Sequence, residues 1–240
     1  MRDDERSREE AAEGGIRDAA TVVLLRDSAC SIEAWLLTRV AHMAFAAGMT
    51  VFPGGRVEPG DADLPWAAAP PADGAVVGAA VRETFEETGV LLGVPRLDLL
   101  TERADVEAGR TPFGALLRSH GAAIDPSGLC PWARWITPEA EARRYDTRFF
   151  VAALPDGQEP AAVTGEAVSA GWVPVAEALA HWERGEWRML PPTIMTLRSI
   201  ASFEAVADVL AAASGRSLEP IRARVEDGQV VLPDGERFAL

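Results

Sequence analysis

Apolar and polar positions along the chain fall into short runs separated by turn-forming residues. Val22, Val23, Leu24 and Leu25, inside the stretch 19–26, form a continuous apolar run, which predicts a strand buried on both faces. A second strand is predicted over 33–40, with Asp27 and Ser28 opening the turn between the two. Thr50 to Pro53 predicts a short strand running into Gly54 and Gly55. The stretch at about 62–74 holds Leu64-Pro65-Trp66 and Pro70-Pro71, so it should loop out before a helix that starts near Asp73 or Gly74 and stops at Gly89. Between Leu97 and Leu117 the helical spacing breaks near Gly109 and Pro112, predicting two short helices. Trp132–Ile136, Arg148–Leu154 and Ala167–Val173 read as strands and Val175–Glu183 as a helix. One longer helix is predicted over Thr193–Ala213, after Pro191-Pro192 and before Gly215, and then a hairpin within 221–232 around Asp227-Gly228.

Residues 1–18 are dominated by Arg, Asp and Glu and should be a mobile tail, which leaves 19–240 as one domain of the α/β (α+β) class. Composition sharpens this picture by exclusion. The net charge of −14 gives no electrostatic footprint for wrapping a nucleic-acid polymer. No run of eighteen apolar residues suggests a membrane span, and no early apolar segment suggests secretion. Cys30 and Cys130 lack metal-ligand spacing and read as thiols of a reducing, cytoplasmic protein. Lysine and asparagine are both absent, which removes Walker A loops, Schiff-base chemistry and serine–lysine pairs. His42, His120 and His181 are scattered and no G-x-S-x-G element precedes a helix, so a serine or cysteine nucleophile has little support.

The chemistry concentrates in Arg82-Glu83-Thr84-Phe85-Glu86-Glu87-Thr88-Gly89-Val90. On a helix Glu83, Glu86 and Glu87 are related by i,i+3 and i,i+4 spacing and crowd one face. They repel one another, and Gly89 puts them in the last turns, where the helix dipole disfavours anions. A divalent cation held by these oxygens would remove both penalties. Three acids alone also describe a solvated face on which Arg82 pairs with Glu86.

The segment resembles the Nudix box, whose family form is G-x5-E-x7-R-E-U-x-E-E-x-G-U with U a bulky aliphatic residue. Gly55 stands for the opening glycine, Arg82-Glu83 for the R-E pair, Glu86-Glu87 for the E-E pair and Gly89 for the closing glycine. Two departures mark this chain. Asp61 sits where the family has its first glutamate, and twenty positions separate it from Arg82 where the family has seven. Thr84 also fills an aliphatic slot. An extended box of this kind, the run 144–155 and the Pro191-Pro192-Thr193 segment are similar to the branch that includes the mammalian peroxisomal coenzyme A diphosphatase.

That resemblance implies a Nudix fold, a mixed β-sheet sandwiched between helices with a loop–helix–loop catalytic motif. It implies hydrolysis of a diphosphate linkage in a small-molecule nucleoside-diphosphate derivative, coenzyme A or an acyl-coenzyme A first, with Mg2+ or Mn2+ as cofactor. It further implies a homodimer in many members. By the same resemblance Glu83 and Glu87 are the main metal ligands, Glu86 shares a metal or orients water, and the Gly55 carbonyl adds a ligand. Arg82 holds the carboxylates in place, and Glu166 in Thr164-Gly165-Glu166 is the candidate acid from a later loop. Arg39, Arg56, Arg144 and Arg148 are the candidates for gripping phosphate, each of which also reads as a surface charge. Leu36-Leu37-Thr38-Arg39 is similar to the start of the coenzyme A signature but lacks one residue between threonine and arginine. Trp66 reads either as a cover over the substrate or as a peg pinning the loop. A Nudix-fold module that binds a nucleotide without turnover is the alternative.

Overall fold

The computed structural model describes residues 15–40, 46–95, 97–161 and 167–239. Its centre is β1 (Arg17–Asp27), which pairs in parallel with β6 (Tyr145–Ala153) over nine residues. Around this pair an eight-stranded mixed sheet runs in the order β3 (Thr50–Val51), β2 (Ile32–Arg39), β1, β6, β5 (Cys130–Ile136) and β8 (Ile221–Arg222). Two further strands join off this path: β4 (Gly54–Arg56) pairs with the start of β1, and β7 (Ala167–Pro174) with β2. The predicted strands are all present, β6 beginning three residues earlier than the pattern suggested.

Both faces of the sheet are covered, as the continuous apolar run in β1 requires. Ala20, Val22 and Leu24 point into one core, and Val23 and Leu25 into the other. The first core is closed by α1 (Gly74–Thr88), α2 (Arg103–Glu107) and α3 (Phe113–Ser119), with Phe85 stacked on Phe113 at 5.4 Å between centroids. The second is closed by α4 (Val175–Glu183), α5 (Pro191–Ile200), α6 (Val206–Ala213) and a small sheet of β9 (Arg224–Glu226), β10 (Gln229–Val231) and β11 (Arg237–Ala239). Asp227 and Gly228, both with positive φ, make the predicted tight turn.

Two expectations need correction. The single helix over Thr193–Ala213 is two helices, α5 and α6. Asp27, at the end of β1, accepts a hydrogen bond from the Val206 backbone N–H at 2.9 Å and starts α6 from outside the helix. Phe203 meanwhile leaves the helical path to pack edge-on against Trp132. The stretch after Gly55 does not simply loop out either. Residues 59–63 form a 3-10 turn, Leu64 is buried, and Pro65 and Ala67 hydrogen-bond Ile124 on both sides of its peptide at 2.7 and 2.9 Å. Trp66 packs partly buried against the first core, so the structure favours the peg.

The predicted tail overlaps β1 at Arg17 and Asp18, and 1–14 lie outside the described residues. Of the thiols, Cys30 is exposed and Cys130 half-buried, and neither forms a disulfide. No helix among the described residues is long and apolar enough to cross a membrane.

Candidate active site

The acids meet the glycine loop because α1 lies along β4 and the start of β1. Alanines at 79 and 80 and valines at 76, 77 and 81 bury the helix almost all round. Thr84 is tolerated in its aliphatic slot because its hydroxyl donates to the Ala80 carbonyl at 2.7 Å, so no polar atom is left unpaired. The helix ends at Gly89, whose φ of 77° and N–H donated to Phe85 reverse the chain in the left-handed conformation.

On the half-buried edge of α1 each acid has a defined place. The Glu83 carboxylate lies directly over Gly55, where any Cβ would overlap it. Only glycine allows that approach. Glu87 accepts from the Gly54 N–H at 2.8 Å and lies 3.7 Å from Arg39. Glu86 lies 3.2 Å from Arg82, and its backbone carbonyl accepts from Arg103 of α2 at 2.8 Å.

Arg82 is the hub. It is 7% exposed and makes a two-pronged contact with Asp61, at 2.8 Å from Nε and 3.0 Å from Nη2. Its Nη1 reaches Glu83 at 2.9 Å as well as Glu86, and its Nη2 donates to the Arg56 carbonyl at 2.9 Å. Asp61 is 1% exposed, and its other contact is the Glu58 N–H at 2.7 Å. The pair therefore fixes the 3-10 turn, β4 and the acidic edge of α1 to one another.

Burial drives the charges. It pushes the Glu83 carboxyl up, against the pull of Arg82 and with repulsion from Asp61 and Glu58 adding to it. Burial likewise raises Glu86 to about 8, again opposed by Arg82 and reinforced by Glu83. Arg82 stays charged well above its ordinary value, because its contacts with the acids outweigh its own desolvation.

Among the described residues no three His, Cys, Asp or Glu side chains converge as a ready ligand set for an ion. The donor chemistry nevertheless fits a hard divalent cation. The donors are carboxylate oxygens, and Glu83 and Glu86 already share a cationic group in Arg82 Nη1.

The other expected site residues divide. Arg39 and Arg56 stand at the site, Arg56 through its carbonyl to Arg82 and its side chain 3.4 Å from Glu58. Arg148 lies two strands away from Gly55 across the sheet, since Ala20 pairs with both residues. It is engaged with Asp18 at 2.5 Å and Asp146 at 3.3 Å. Arg144 sits before β6 and donates to the Thr137 carbonyl at 3.2 Å. Neither of these two is brought to the carboxylates. Glu166 lies outside the described residues. Two residues enter that the sequence did not put in the site, Asp61 and Arg103. Asp61 carried a signal, its place in the box, whereas Arg103 carried none.

This architecture is shared with a solved structure. A Nudix hydrolase from Alicyclobacillus acidocaldarius superposes with a TM-score of 0.73 at 33% identity, covering 86% of this chain and 99% of that one. The family model described as the NUDT19 Nudix domain matches residues 65–200. The chain belongs to this Nudix hydrolase family. Among its relatives is a Gallus gallus protein named acyl-coenzyme A diphosphatase NUDT19, 26% identical, with the match covering 87% of this chain and 73% of that one. The Homo sapiens protein of the same name is 30% identical over 67% of this chain, and the match spans half of the human protein's length.

Proposed function

We propose that this chain is a divalent-metal-dependent diphosphatase acting on a nucleoside-diphosphate derivative, with coenzyme A or an acyl-coenzyme A as the leading substrate. The observation that carries the reading is the seating of Glu83 against Gly55 and of Glu87 against Gly54, with Glu83 and Glu86 both held by Arg82 of the buried Arg82–Asp61 pair. Relatives named acyl-coenzyme A diphosphatase support the substrate class. Glu83, Glu86, Glu87 and the Gly55 carbonyl would hold the cation, which supplies neutralisation of phosphoryl oxygens and a more acidic attacking water. The protein's own part is positional. Arg82 holds Glu83 and Glu86 in one orientation, and the Gly54 N–H holds Glu87. Arg39 beside Glu87 is the cation placed to meet a substrate phosphate. Glu166 is proposed as a further acid, because Ala161, shortly before it, donates to the Thr88 carbonyl at the end of α1. Mg2+ or Mn2+ as the ion and a homodimer as the assembly complete the proposal, read by metal titration and by sedimentation.

The test is a product screen with magnesium and then manganese over coenzyme A, acyl-coenzyme A, ADP-ribose, NADH, nucleotide sugars and nucleoside triphosphates. Cleavage of coenzyme A species, abolished by chelator, is the expected result. A second reading, a Nudix-fold module that binds without turnover, rests on Asp61 in place of the family's first glutamate and on the lengthened box. Ligand-induced thermal stabilisation with no product anywhere in the panel would select it.

A further inference from the structure

Gly78 lies inside α1, one turn before Arg82, where glycine costs the helix roughly 0.5–1 kcal/mol relative to alanine. It is buried, Ala79 and Ala80 follow it, and no turn or positive φ asks for it. Its surroundings supply the reason. A Cβ built there would overlap the Asp61 carbonyl oxygen, and would stand 3.0 Å from both the Asp61 carbonyl carbon and Leu64 Cδ1. The backbone of the 3-10 turn therefore rests on bare helix at Gly78, and from that seat the short aspartate side chain spans the remaining gap to Arg82.

We propose that Gly78 is a positioning residue of the active site: its missing side chain is the notch that seats the Asp61 backbone, and the depth of the notch sets the reach from Asp61 to Arg82. Two observations converge on this. The chain just after the turn is fixed as well, by Leu64 in the core and by the hydrogen bonds of Pro65 and Ala67 to Ile124. The turn cannot slide along the helix to regain contact if it is lifted at Gly78. Arg82 meanwhile spends three donors on Asp61 and the Arg56 carbonyl, so a lifted Asp61 releases the same guanidinium that orients Glu83 and Glu86. Notch depth and side-chain length are thus matched, a shallow seat requiring a longer acid.

The proposal rests on the reading of the α1 acids as hydrolytic machinery, and a double-mutant cycle tests the two ideas apart. Gly78→Ala, Asp61→Glu and the double variant are compared with the unmodified protein for melting temperature, manganese affinity in a metal titration, and kcat and KM on the substrate found by the screen. Each single variant should lose on the order of tenfold or more in manganese affinity and kcat, the scale of a lost outer-shell contact, while KM changes little. The double variant should recover most of both, because the added methylene restores the reach. Additive losses in affinity and melting temperature, with no recovery in the double, overturn the proposal. So does a Gly78→Ala protein whose affinity matches the unmodified one. If Gly78→Ala fails to fold, the double variant decides, since regained folding supports the matched-length idea and continued failure overturns it. An unmodified protein that cleaves nothing sinks the diphosphatase reading alone, because the affinity and melting cycle still reports on Gly78.

Discussion

Glu87 separates two jobs that a carboxylate can do here. Its hydrogen bond from Gly54 is structural, and its other oxygen faces Arg39, where a substrate phosphate would arrive. Glu87→Gln keeps an acceptor for Gly54 and removes the charge. The melting temperature should stay within a few degrees while kcat falls by about two orders of magnitude or more, the scale of a broken metal site. Near-normal kcat in that variant would end the assignment. Glu86 makes a different prediction. Its folded pKa of about 8 lies above the ordinary value of 4.5, so between those values the folded protein holds a proton that the unfolded chain has released. Stability from this group is therefore full below about pH 4.5 and is lost as pH rises towards 8. In metal-free protein, Glu86→Gln should flatten that decline, and an unchanged slope would show that other groups set it. At this scale the sequence was most legible where charge met helical spacing. Three acids on one face could be counted along the chain. The commitment of Arg148 to Asp18 could not, because it depends on β1 and β6 lying side by side.

The elements divide by where their ends are decided. The ends of α1 and α4 are written locally, at Gly89 and at Pro174, and both were placed from the chain alone. The boundary between α5 and α6 is written elsewhere, by Asp27, which no local pattern near Val206 announces. The apolar spacing runs on through the break, and neither glycine nor proline interrupts it. The extra length between Asp61 and Arg82 gives the same lesson in reverse. Prolines made it look like a loop, while Leu64 and the pairing with Ile124 make it part of the core. Leu64→Ala should destabilise the protein by roughly 2–5 kcal/mol, the usual range for a buried leucine, and excision of 62–73 should cost more. Denaturant unfolding measures both. An excised protein with an unchanged midpoint would return this stretch to the surface.

At the level of the molecule, the sheet carries its two cores on opposite faces, and the site sits at the edge of one of them. The acids and Arg82 join α1 to β4 and the 3-10 turn, so an ion bound there tightens the layer that closes the first core. Magnesium at a hundred times its dissociation constant should add about 2.7 kcal/mol to stability by mass action, and chelator should remove it. Calorimetry with and without the ion reads this directly, and an unmoved transition would argue against binding at this site.

The pairing of β1 with β6 reaches beyond the finished molecule. Each residue of β1 from Arg17 to Leu25 pairs with the one 128 positions later. During synthesis the central strand of the sheet emerges early, and its parallel partner does not yet exist. At roughly 5–20 residues per second, the wait is on the order of ten seconds. Throughout it β2, β4 and α1 can already cover part of β1, but the backbone edge that β6 will take stays unpaired. The period of greatest exposure to aggregation therefore closes only when Ala153 has been made.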